Sequence, residues 1–147
     1  ATTQVAEVGL MNSTGHRANI LNGDYNVVGI WVTQSSTKVY YFTQLFAKRG
    51  IILSKRPPAS FSLKRGLRLK GIAFPQVQNI LYQIKKPFEE QAIQEGIIKP
   101  EGKKFDFRIF IKEPGSYKIS LYVQEKGENN FGMANNFDIK VRRPLFT

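Results

Sequence analysis

His16 is the only histidine in the chain, and it stands between Gly15 and Arg17 in the run "MNSTGHRANILN" over residues 11–22. An imidazole can move a proton near neutral pH or bind a metal. Either role needs companions, since a zinc ion takes four donors, or three and a water. The sequence holds no second histidine and no cysteine. That excludes thiol catalysis, a disulfide framework and every Cys-based zinc site. Glu7 and Asp24 are the only acidic side chains among residues 1–47. Taken from the residues alone, His16 is a neutral imidazole that helps tie its own turn.

The second group with chemical potential is cationic. Residues 1–47 balance Arg17 and Lys38 against Glu7 and Asp24, so twenty of the 22 Lys and Arg, nine of the 11 Asp and Glu, and the whole net charge of +11 fall in residues 48–147. The cations cluster in "KRG", "SKRPP", "LKRGLRLKG", "IKKP", "GKKF" and "VRRP". Alternation along a strand sends Arg68 and Lys70 to the face opposite Leu67 and Leu69. A sheet face of this kind attracts polyanions, and the candidates for that role are Lys64, Arg65, Arg68, Lys70, Lys85 and Lys86. The competing reading is that the cations solubilise the sheet and guard its edges. Nucleic acid is not expected, because Phe105 and Phe107 fall on the buried side and could not stack on bases.

The elements that carry these residues follow from periodicity. Val5, Val8 and Met11 share one helical face, predicting a short helix that ends near Asn12. Ser13 or Thr14 can cap a second turn, "HRANIL", with Ile20 and Leu21 pointing inward. "NGD" at 22–24 signals a turn. "VVGIWVT" (27–33) and "KVYYFTQLF" (38–46), joined by the four residues "QSST", predict a hairpin. Thr43 and Gln44 are neighbours on its second strand, so one of them faces out.

From residue 59 the pattern changes to strands at short spacing: 61–74 with a bend at Gly71, 79–86, 103–113, 115–124 and 135–143. Apolar residues recur at every second position, as in Phe105, Phe107, Ile109 and Ile111, or Tyr117, Ile119, Leu121 and Val123. About seven strands in some ninety residues predict an immunoglobulin-like antiparallel sandwich, with Tyr117 after Pro114-Gly115 in the place of a tyrosine corner. "EEQAIQEG" (89–96) is expected to be a loop or a short helical turn. The domain boundaries are set at 1–50, a linker at 51–58 marked by Pro57 and Pro58, and 59–147. The fold class is mainly β (α+β).

Two further runs carry a resemblance. "LMNSTGHRANILNGDYNVVGI" followed by "YYFTQLF" resembles the C-terminal half of a CAP domain, the cysteine-rich secretory, antigen 5 and pathogenesis-related-1 superfamily. The likeness is to its cysteine-free bacterial SCP-like branch, where the run reads W-M-N-S-P-G-H-R-x-N-I-L, then I-G-V-G, then Y-W-T-Q-x-F. It covers residues 5–47. In that family the histidine of G-H-R belongs to a cleft tetrad of two His and two Glu, which holds a divalent metal in some members. His16 is the matching position, and the other three come from the N-terminal half of the family fold. The resemblance therefore implies that His16 is a cleft remnant, that Asn12, Ser13, Gly15, Arg17 and Asn19 are structural, with Arg17 bonding across the turn, and that this chain carries no cofactor. Leu10, Thr14 and Trp31 depart from the pattern, and Trp31 is expected to fill part of the cleft.

The second segment more loosely resembles the Ig-like modules of secreted bacterial CAP and transglutaminase-like proteins. Together the resemblances imply a secreted, extracellular bacterial protein, non-catalytic as it stands, whose basic module meets an anionic cell-surface polymer or a protein partner. The alternatives are the distal half of a metal-dependent hydrolase, with its remaining tetrad upstream or on another chain, and a stand-alone polyanion-binding module. No signal peptide opens the chain at Ala1, so an export address would have been removed or lie upstream. No run approaches the ~18 apolar residues of a membrane span. Some 47 residues without disulfide or metal bury too little to stand alone, so self-association through the 27–46 hairpin is expected.

Overall fold

The computed structural model describes residues 2–143, so the last four residues of the expected second domain lie outside it. The chain divides into two compact units between Arg49 and Gly50. It is mainly β, with two short helices. No helix is long and apolar enough to cross a membrane among the described residues.

In the first unit, α1 (Thr3–Asn12) begins where the Thr2 side chain accepts the Val5 N–H, a side-chain cap. α2 (Thr14–Ile20) follows after Ser13 alone. Asn22 then closes the next turn by accepting the Asp24 N–H on its side-chain oxygen at 2.9 Å, the local bond that favours Asn at such positions. β1 (Val27–Gln34) and β2 (Tyr40–Ala47) pair antiparallel, Gln34 opposite Tyr40 and Val27 opposite Ala47.

The hairpin loop is five residues, 35–39, rather than the expected four. Ser35 accepts the Val39 N–H on Oγ, and Lys38 turns the chain with a left-handed φ of 62°. Leu21, expected to point inward, is 59% exposed, because α2 has already ended and the chain turns away. No described residue of this unit is fully buried.

The second unit holds two sheets. One has the order β4-β10-β9-β6-β7 and the other β3-β5-β8. The strands are β3 (Ile51–Leu53), β4 (Ser60–Ser62), β5 (Leu67–Ala73), β6 (Val77–Lys85), β7 (Gln94–Ile98), β8 (Lys104–Ile109), β9 (Gly115–Glu125) and β10 (Gly132–Arg142). Every pairing is antiparallel except β4 with β10. One core draws on both sheets, with Ile51, Leu67, Leu69 and Ile109 from the smaller and Ile80, Ile84, Ile119 and Leu121 from the larger. The Tyr117 hydroxyl donates to the Glu113 carbonyl at 3.0 Å, fixing the turn that leads into β9.

Three expectations need correction here. The linker at 51–58 begins with a strand: β3 pairs with β5, Ile51 opposite Ala73, and Ile51 is 1% exposed. Pro57 and Pro58 bar regular structure only after it. The run 61–74, expected as one strand bent at Gly71, breaks at 63–66 into β4 and β5 of different sheets, and β5 runs through Gly71 without a bend. A Cβ there would sit 2.1 Å from the Ile52 carbonyl oxygen and 2.7 Å from the Phe105 ring, so the glycine admits close packing of the neighbouring strands. Residues 94–96 are not loop or helix but the start of β7, with Gly96 opposite Tyr82 and under its ring. A strand that opens with Gln94, Glu95 and Gly96 shows no alternation of apolar residues there for a periodicity argument to detect.

Candidate anion-binding groove

The strongest candidate site lies at one side of the second unit, where four strands and a turn bring arginines together. After β4 the chain reverses through 62–66: the Ser62 carbonyl accepts the N–H groups of Arg65 and Gly66 at 2.9 and 3.3 Å. Gly66 takes a φ of +63°, and a Cβ there would lie 2.9 Å from the Ile109 carbonyl oxygen, so only glycine fits. This turn places Arg65 beside Arg68 of β5 and Arg108 of β8. The parallel register of β10 with β4, Arg142 opposite Ser62, brings Arg142 and Arg143 to the same place. The result is a groove of about 590 Å³ walled by Arg65, Arg68, Arg108, Arg142 and Arg143, with Ser60, Ser62 and the apolar Pro58, Phe61 and Leu67. Among the described residues, no carboxylate lines it.

Its electrostatics are partly self-balanced. Arg68 and Arg108 lie directly opposite each other in the β5–β8 ladder, an arrangement of like charges that costs stability. Each is drawn aside. Arg68 donates from Nε and Nη2 to the two carboxylate oxygens of Asp106, at 2.7 and 2.6 Å. Arg108 donates from Nη1 to the Arg65 carbonyl at 2.6 Å. The Arg68 hydrogen bond holds the Asp106 carboxyl below the usual carboxylate range, with the charges of Arg68, Lys70 and Arg108 adding to it. Arg65, Arg142 and Arg143 have no side-chain partner among the described residues.

The expected cationic residues are split by the fold. Arg65 and Arg68 meet in the groove, and Arg68 and Lys70 do point away from Leu67 and Leu69. Lys64, exposed in the 62–66 turn, does not line it. Lys85 and Lys86 belong to a separate cavity of about 480 Å³, where Glu89, Glu90 and Asp138 offset them. Arg108, Arg142 and Arg143 were not among the candidates. Alternation could have put Arg108 outward, but only strand register places it opposite Arg68.

In the first unit, His16 lines a cavity of about 180 Å³ with Leu10, Asn19, Phe42, Gln44 and Phe46. Its Nδ1 lies 2.8 Å from the Ser13 Oγ, which leaves Ser13 with no side-chain bond into the first turn of α2. Among the described residues, no three His, Cys, Asp or Glu side chains come together in a way that could hold a metal. Asn12, Gly15, Arg17 and Asn19 are exposed. Arg17, expected to bond across the turn, makes no side-chain hydrogen bond among the described residues. Gln44 is half-buried and Thr43 is exposed, and Thr43 too lies at the lining of the His16 cavity.

Trp31, expected to fill part of the cleft, does not. It is opposite Thr43 and 70% exposed, and on a strand it points to the face opposite Phe42, Gln44 and Phe46. On that open face stand also Leu45 and Tyr41, 72% and 58% exposed.

No protein-family model matches this sequence, and no curated protein matches it.

Proposed function

We propose that this chain is part of a secreted bacterial CAP-superfamily protein, non-catalytic as it stands, whose second unit is an Ig-like module that binds an anionic polymer in the arginine groove. The observation that carries the binding reading is the convergence of five guanidinium groups, from the 62–66 turn, β5, β8, β10 and the residue after β10, on one groove with no lining carboxylate among the described residues. A charged concavity concentrates anions and speeds their capture.

The Ig-like reading is supported by the strand orders, by β4 running parallel to β10 at the sheet edge, and by the Tyr117–Glu113 corner. The CAP reading rests on the residue runs 5–47. The order helix, helix, hairpin and the uncovered aromatic face of the hairpin suit an element of a larger layered domain.

The test is retention of the chain on a sulfated polysaccharide matrix. Elution is expected to shift strongly with salt between about 50 and 500 mM. The double variant Arg65→Ala/Arg142→Ala is expected to elute markedly earlier. Salt-independent retention, or retention untouched by the double variant, would refute the reading.

A further inference from the structure

We propose that the groove takes a linear chain of phosphate groups, either polyphosphate or a phosphodiester polymer with small, ring-free linkers. The inference rests on the polyanion reading above and narrows it to one ligand chemistry. All five cations in the groove are arginines and none is a lysine. A guanidinium presents a planar fork of N–H donors that matches paired oxyanion oxygens, whereas an ammonium acts as a point charge.

The forks come from different directions: Arg65 from a turn, Arg108 from β8, Arg142 from β10. A carboxylate offers two oxygens in one plane and suits a single fork, as Asp106 does for Arg68. A phosphate offers its oxygens around a tetrahedral centre and can bridge forks from separate elements. Ser60 and Ser62 add hydroxyl donors.

The lining also lacks a platform for rings. Among the described residues, Phe61 is the only aromatic side chain that lines it, and Phe61 is 8% exposed, its side chain in the core. Phe110, 53% exposed, lies against Gly66 at the edge of the groove, but it lines a different cavity with Ile93, Ile111 and Tyr117. Polymers of bases gain much of their binding from stacking on exposed aromatic faces. Among the described residues the groove's own lining offers donors and no exposed aromatic face, which favours a polymer that binds through its charges.

The test compares the full chain's affinity for long-chain polyphosphate, polygalacturonate and phosphatidylglycerol vesicles, matched in charge concentration. Polyphosphate is expected to bind at least about tenfold more tightly than the other two. Arg65→Ala/Arg142→Ala is expected to remove that preference, and Lys85→Ala/Lys86→Ala to leave it. Arg65→Lys/Arg142→Lys keeps the charge and loses the forks, so it too is expected to lose the preference. Equal or tighter binding of polygalacturonate overturns the phosphate inference while the polyanion reading stands. Tighter binding of vesicles overturns it in favour of a membrane surface. Absence of binding to all three overturns both readings.

Discussion

Arg68 grips Asp106 with two guanidinium nitrogens at 2.7 and 2.6 Å, although Asp106 stands opposite Lys70 in the ladder and Arg68 stands opposite Arg108. The carboxylate thus quiets one cation of the groove and leaves the others unbalanced. Asp106→Asn frees that charge. The variant is expected to bind polyphosphate several-fold more tightly than the parent chain and to need more salt for elution. Weaker binding would mean that Arg68 must be held by Asp106 in order to work.

The same pair sets a pH dependence. The Asp106 carboxyl is held below the usual carboxylate range, first by the Arg68 hydrogen bond and then by nearby cations. A depressed folded-state pKa means that the pair's stabilisation is present above the ordinary carboxylate pKa and is lost as pH falls through the depressed value. Polyphosphate affinity is expected to rise over that acid window in the parent chain as Asp106 discharges. In Asp106→Asn this component of the pH profile should be missing, which parallel titrations of the two proteins would reveal.

Tyr117 is 3% exposed and donates its hydroxyl to the Glu113 carbonyl. Burial, then the charge of Glu113, pushes its phenol above the usual tyrosine value. Tyr117→Phe leaves the ring in the core and strands that carbonyl, so a loss of about 1 kcal/mol is expected. Urea unfolding should show a lower midpoint with unchanged slope. No change in midpoint would mean that the corner bond contributes nothing net.

Trp31, Leu45 and Tyr41 form an open apolar face on a two-stranded sheet with both edges unpaired among the described residues. Sheets of this kind associate. The chain is expected to sediment as an oligomer at roughly tens of micromolar, and Trp31→Glu to shift it towards monomer. A parent chain that stays monomeric at that concentration would count against the hairpin as the contact.

Much of the second unit was legible in the sequence because its strands alternate cleanly. Leu67 and Leu69, Phe105 and Ile109, Tyr117 and Ile119, Ile139 and Val141 are all buried, as period two requires. β3 and β7 were missed for physical reasons. A three-residue strand has no period to detect, and β7 begins with Gln94, Glu95 and Gly96, whose place is set by the ring of Tyr82 rather than by their own hydrophobicity.

For the candidate site, the residues by themselves determined that the charge is cationic, that it sits after residue 47, and that His16 has no second histidine to work with. Which cations act together was a tertiary decision. Lys64 and Arg65 are adjacent in sequence, yet only Arg65 lines the groove, while Arg142 arrives from 77 positions away. The cause is register: a strand's own pattern decides which face a side chain takes, but only pairing with another strand decides what stands across from it.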